Sequence, residues 1–218
     1  MLRATIDARW PKLPPEEAKT WLRRVKDGRS PYSRVRVHVI RCQLDAIVAL
    51  ALHLGLRRAE LFRLDVPCVH YDNQGVVVRD KSGSFDGNCR EVPFTDAARD
   101  AVEQWILCRF FLGPNHEQAW LNLHAESTMR KPMKRDTFNK LLITYVGPGW
   151  TLKRLRDTCA AGWVRSELPL EHLRQLLGLS RIEDTLPYAQ LVTGSLDGRM
   201  EKLDTIFTDL VEPTEIGP

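Results

Sequence analysis

The spacing of apolar residues in this chain changes period once and then changes back. On both sides of residues 66–95 apolar positions recur at helical intervals. Within that stretch, Gly75-Val76-Val77-Val78-Arg79 and Arg90-Glu91-Val92-Pro93-Phe94 read as extended runs flanking a Ser/Gly/Asn-rich turn, Ser82-Gly83-Ser84-Phe85-Asp86-Gly87-Asn88. Helices interrupted by one hairpin predict a mainly α fold with a small antiparallel β-sheet, of the α+β kind.

Residues 1–12 read as a leader. Leu13-Pro14-Pro15-Glu16-Glu17 then opens a helix with an apolar stripe of Ala18, Trp21, Leu22 and Val25, and Gly28-Arg29-Ser30-Pro31 ends it. A strongly apolar, buried helix is expected over Val39–Leu54, broken by Gly55 before a shorter helix over Arg58–Leu64. Beyond the sheet, helices are expected over Asp96–Phe111, Lys134–Tyr145, Leu152–Arg165, Pro169–Leu177, Ile182–Leu191 and Leu196–Leu210. Gly113-Pro114 and Gly147-Pro148-Gly149 act as breakers. Val192-Thr193-Gly194-Ser195 reads as a hinge, leaving the last helix either to dock on a neighbouring protomer or to pack on its own core. The organisation expected is a leader (1–12), one domain (13–191), and a hinge, helix and tail (192–218).

The 218 residues are 43% hydrophobic, enough for one sizeable core. The net charge of +4 is modest, but its placement is uneven. Between Met129 and Arg156 stand Arg130, Lys131, Lys134, Arg135, Lys140, Lys153, Arg154 and Arg156 against the single acid Asp136, while acids dominate from Glu167 onward. A basic middle suits nucleic acid; solvated faces of ordinary helices account for it equally well. The five cysteines are scattered without a CxxC pair, and the six histidines show no metal-ligand spacing, so neither a disulfide framework nor a metal site is expected. No phosphate-cradling glycine loop, signal core or membrane-length apolar run is present in the sequence. The expectation is a cytoplasmic protein with no membrane contact and no cofactor.

Four short motifs stand in order: Gly55-Leu56-Arg57-Arg58-Ala59-Glu60-Leu61, Lys81 at the mouth of the hairpin, Lys153-Arg154-Leu155-Arg156-Asp157-Thr158, and Leu176-Leu177-Gly178-Leu179-Ser180-Arg181-Ile182 followed by Tyr188. Any one occurs by chance, but all four in this order resemble the catalytic domain of the tyrosine recombinases, the phage-integrase and Xer-like family. The resemblance runs from about Leu13 to the last helix. Two positions depart from it. Lys153 stands where the family usually has a histidine three residues before its second arginine, and Leu179 stands where it usually has His or Trp. His172 lies two helical turns before Leu179, too far along the axis to replace it.

The resemblance implies a site-specific recombinase or integrase that cuts and rejoins duplex DNA. Tyr188 would be the nucleophile, forming a 3′-phosphotyrosyl link without metal or ATP. Arg57 and Arg156 would hold the non-bridging oxygens, because a guanidinium fork stays charged and donates to two oxygens at once. Arg58 competes for the first of these places. Glu60, one turn on, would orient Arg57. Lys81 would protonate the leaving 5′-oxygen, and Lys153 would give a further donor. Leucine cannot donate, so Leu179 implies a slow or partner-dependent enzyme. Arg130, Lys131, Lys134, Arg135, Lys140 and Arg154 are the expected contacts to DNA phosphates. The expected partners are double-stranded DNA and further recombinase protomers, as a homo-tetramer or a hetero-assembly. Two other readings stay open: a recombinase-derived DNA-binding or regulatory protein that no longer cuts, and a type IB topoisomerase. With room only for a leader before Leu13, a catalytic fragment or a minimal member is expected.

Overall fold

The computed structural model describes residues 32–70, 75–79, 89–123, 131–146 and 149–192. The leader, the helix expected from Leu13, the hairpin turn with Lys81, Arg130, the hinge and the final helix lie outside the described residues.

The first described helix, α1 (Tyr32–His53), has 22 residues and begins just after Pro31, seven residues ahead of the expected Val39. The expectation rested on the apolar run, but helical geometry extends through the polar positions Arg34 and Arg36 that precede it. From Val39 onward α1 is apolar on nearly every side, with Val39, Ile40, Leu44, Ile47, Leu50 and Leu54 all buried. Such a helix has no solvent face and must run through the middle of the core. It packs against α3 (Asp96–Leu112) and α5 (Leu152–Arg165). α3 is capped by the Thr95 hydroxyl, which accepts from the Ala98 amide at 3.3 Å, and by left-handed Gly113 at its other end.

The sheet is three-stranded, β1 (Val69–His70), β2 (Gly75–Val78) and β3 (Arg90–Pro93), antiparallel throughout in the order β1-β2-β3. β1 is a short strand that the sequence reading did not separate from its surroundings. Val76 pairs with Val92, and Val78 with Arg90. Directly paired residues share a face and side chains alternate, so Arg90 lies on the face of buried Val76, Val78 and Val92. A cation on the inward face of a sheet requires a partner.

Beyond the sheet come α4 (Arg135–Val146), α5, α6 (Leu170–Leu177) and α7 (Leu186–Val192). The helix expected over Ile182–Leu191 is in fact a 3₁₀ turn, Ile182–Thr185, followed by α7. Pro187 explains the change: without an N–H it fits the first turn of a helix and not its interior, so the α-helix can only begin just upstream of it. A small second apolar cluster of Ala160, Val164, Leu173 and Leu177 joins α5 to α6, and Leu179 and Tyr188 pack against it.

Candidate active site

Gly55 makes the first turn of the site possible. It carries φ +63° between α1 and α2 (Arg58–Phe62), and a Cβ there would meet Leu177 Cδ2 at 3.0 Å and Cys159 Sγ at 3.5 Å. The reversal delivers Arg57 to the N-cap of α2, where its backbone N–H donates to Glu60 Oε2 at 2.6 Å. Glu60 thereby satisfies one of the amides left over at a helix start.

The same carboxylate gathers three guanidiniums. Arg90 donates to both its oxygens, Nη1 to Oε1 at 2.8 Å and Nη2 to Oε2 at 2.9 Å. Arg57 Nη1 donates to Oε1 at 3.2 Å, and Arg156 Nη1 stands 4.0 Å from Oε2. Each arginine then reaches a different carbonyl at the end of α6. Arg90 Nε donates to Leu176 O at 3.0 Å, Arg156 Nη2 to Leu177 O at 2.8 Å, and Arg57 Nη2 to Gly178 O at 2.8 Å. These are the carbonyls a helix leaves unpaired at its negative end, so cations are stabilised there twice, by hydrogen bonds and by the dipole. Arg156 also donates to Gly55 O at 2.5 Å, tying α5 to the turn before Arg57.

The ionisation states follow from this packing. Burial pushes the Glu60 carboxyl up, but hydrogen bonds and charge from Arg90 and Arg57 outweigh it, leaving it below its ordinary value of 4.5. Burial pulls Arg156 down and the Arg57 charge adds to the effect, with Glu60 and the nearby Tyr188 side chain opposing. Cys159, beneath Gly55, is pushed up to about 12 by burial and stays a thiol despite the nearby Arg156 charge. It is no competing nucleophile.

Tyr188 stands on α7, half-buried, with its ring on the second apolar cluster and its side chain engaged by Arg156. Arg57, Glu60, Arg156 and Tyr188, which come from three distant motifs, are thus brought together. Lys153 sits on the surface with its side chain 85% exposed, bonded to Asp157 at 2.8 Å, and within electrostatic reach of Tyr188. The Asp157 bond, with a smaller push from Tyr188, raises its pKa. Leu179 packs against the same apolar cluster as Tyr188, and its carbonyl accepts from Arg174 Nη1 at 3.1 Å. Arg58 is exposed and is not among the donors to Glu60; Arg57 occupies that place. His172 is exposed.

The other basic residues lie apart from this centre. Lys131, Lys134, Arg135 and Lys140 are exposed before and along α4, with Arg135 over the Phe62 ring at 5.5 Å. Arg154 is exposed, donates to Gly149 O at 3.0 Å and stacks over Trp150 at 4.7 Å. Lys81 and Arg130 fall outside the described residues. Sequence reasoning missed Arg90, which looked like the polar start of a strand. The available signal was its period-two relation to Val92, which puts it on the inward face.

Residues 21–193 match the model of the phage integrase family, and this chain belongs to that family. Among curated relatives, the tyrosine recombinase XerC of Corynebacterium glutamicum is 24% identical over 147 residues, covering 67% of this chain and 46% of that protein. The chain therefore spans about half the length of the curated relative it matches. Among solved structures, XerA recombinase has a TM-score of 0.57 at 19% identity, covering 90% of this chain and 64% of that one. The Tn1549 transposon integrase in complex with circular intermediate DNA has a TM-score of 0.57 at 20% identity, covering 88% and 64%. XerH site-specific recombinase bound to difH substrate has a TM-score of 0.57 at 16% identity, covering 90% and 54%. At these identities the likeness establishes the fold: a mainly helical catalytic-domain architecture with a small antiparallel sheet. Among the described residues no helix is long and apolar enough to cross a membrane.

Proposed function

We propose that this chain cuts and rejoins double-stranded DNA at defined sites through a covalent 3′-phosphotyrosyl intermediate. The observation that carries the reading is the convergence of Arg57 and Arg156 on one helix end, with Tyr188 beside Arg156. Membership of the phage integrase family, and structural neighbours that are recombinases bound to DNA, support the same reading.

In this mechanism the Tyr188 oxygen gives up its proton to solvent water and attacks phosphorus. A bond from Tyr188 Oη to phosphorus forms while the bond from phosphorus to O5′ breaks. The 5′-oxygen takes a proton from Lys81 and leaves as a hydroxyl. Rejoining is the reverse, with a 5′-hydroxyl attacking the tyrosyl ester, so one ester is exchanged for another and no energy source is consumed. A guanidinium carries five N–H donors. Arg57 commits two side-chain donors to Glu60 and Gly178 and is 38% exposed, so it keeps an open edge for a phosphate oxygen. Arg156 is the deeper clamp. Lys153, whose proton is held more tightly by Asp157, serves as a phosphate donor while Lys81 is the acid.

Leu179 adds no donor to the phosphate, and a missing donor to a developing oxyanion costs on the order of 10²–10³ in rate. Slow or partner-assisted turnover follows. Exchange between two duplexes requires a tyrosine for each of their strands, which calls for a tetramer or a hetero-assembly of the same size. Residues 13–191 act as the catalytic unit in this reading, working in the cytoplasm, and residues 192–218 as a segment that contacts a neighbouring protomer.

A suicide substrate nicked next to the cleavage position tests the proposal. Covalent protein–DNA adduct with the wild-type chain and none with Tyr188→Phe supports it. Salt-sensitive DNA binding without adduct in either protein favours the non-cutting DNA-binding reading, to which the apolar seat of Leu179 is favourable.

A further inference from the structure

Outside the arginine cluster around Glu60, His38, Cys42 and Cys108 bring one nitrogen and two sulfurs within 4.8 Å of one another. All three residues are buried. His38 and Cys42 are four apart and share a face of α1, while Cys108 comes from the packed helix α3. His38 Nε2 stands 3.5 Å from Cys42 Sγ and 4.0 Å from Cys108 Sγ. Tetrahedral zinc with its usual bond lengths separates a nitrogen from a sulfur ligand by about 3.6 Å and two sulfurs by about 3.8 Å. The two nitrogen-to-sulfur distances therefore lie within about 0.4 Å of the spacing such an ion imposes, and the sulfurs are close enough for side-chain adjustment to bring them onto one ion.

We propose that His38, Cys42 and Cys108 form a binding site for a divalent thiophilic cation of the zinc class, clasping α1 to α3. Charge selects the class. Two thiolates and a neutral imidazole around a doubly positive ion sum to zero, which an apolar interior tolerates, whereas a singly charged ion leaves a net negative centre. Binding is balanced by protons: the ion enters, Cys42 and Cys108 each lose one, and His38 gives its Nε2 lone pair with its proton on Nδ1. Among the described residues no fourth acid, His or Cys joins the set, so the remaining tetrahedral position falls to water. The site is structural in role. It holds α1, which ends at His53, and so supports the turn that presents Arg57.

The test uses the full chain, stripped with chelator and titrated with zinc, with uptake read by elemental analysis and the ligand set by X-ray absorption at the metal edge. One ion per chain, with two sulfur neighbours and at least one imidazole, is the result expected. Its affinity falls as pH is lowered, because the thiolates are protonated. Cys42→Ser and Cys108→Ser are expected to weaken uptake by at least 10-fold, and Cys68→Ser to leave it unchanged. A rise in melting temperature with added zinc accompanies binding to the folded state. No uptake by the wild-type chain at micromolar free zinc overturns the proposal, as does an absorption spectrum without sulfur ligands. Uptake equal to wild type in both Cys42→Ser and Cys108→Ser overturns it too. Where the variants fail to fold, the wild-type spectrum alone decides.

Discussion

Two basic regions of this molecule carry the same sign of charge and are built in opposite ways. Around Glu60, three arginines are partly or wholly buried, share one carboxylate and cap consecutive carbonyls of α6. Before and along α4, Lys131, Lys134 and Lys140 are exposed to water, as is Arg135 over the Phe62 ring. Cations fixed before the substrate arrives lower a barrier, because the protein need not reorganise as charge develops. Solvated cations contribute mainly by releasing counterions, which gives affinity that falls with salt and little effect on rate. On the proposed reading the first region does the chemistry and the second grips DNA.

The largest expected effect breaks the first region directly. Arg156→Lys keeps the charge but loses the fork that spans Gly55 and Leu177, and cleavage of a suicide substrate is expected to fall on the order of 10²-fold or more. Unchanged cleavage would place the phosphate elsewhere. Leu179→His tests the same region by addition: a donor placed on the apolar cluster that also seats Tyr188 is expected to speed cleavage on the order of 10-fold or more. An unaltered rate would mean that position 179 does not face the phosphate.

Arg90→Ala separates positioning from chemistry. It strips Glu60 of its two-pronged partner within a mostly buried ion pair, and unfolding is expected to become easier by about 3 kcal/mol, read in urea melts. The pH dependence sharpens the point. Glu60 titrates below 4.5 when folded, so its contribution is present above that value and is lost as pH falls through the lowered folded value. Arg90→Ala is expected to flatten this acid loss. A variant with the wild-type profile would show that Glu60 is held by other groups. The smallest effect belongs to the second region. Lys134→Ala is expected to leave the single-turnover rate alone and to reduce the slope of log affinity against log salt by about 0.9 for a lost phosphate contact.

The helices and the hairpin were legible in the sequence because each is a local pattern: α3, α5 and α6 fall within a residue or so of the expected bounds. α1 begins earlier because polar residues extend a helix without extending its apolar stripe. Pro187 was legible in principle, yet the stretch from Ile182 was read by periodicity alone, and periodicity does not register a missing N–H. Arg57, Glu60, Arg156 and Tyr188, which the structure brings together, were singled out because their motifs are short and ordered. Arg90 was not, since its meaning lies in Glu60, 30 residues away, and in Leu176, 86 residues away. The same holds for His38 and Cys108, 70 residues apart, whose spacing no linear ligand pattern contains.

The account rests on a scissile phosphate held by Arg57 and Arg156 within reach of the Tyr188 oxygen. Peptide mapping of the adduct trapped on a nicked substrate tests this most directly. The account predicts a single modified peptide, with the 3′-phosphate of the cut strand esterified to Tyr188. A nucleotide remnant on any other side chain, or site-specific DNA binding in which Tyr188 remains unmodified, would contradict it.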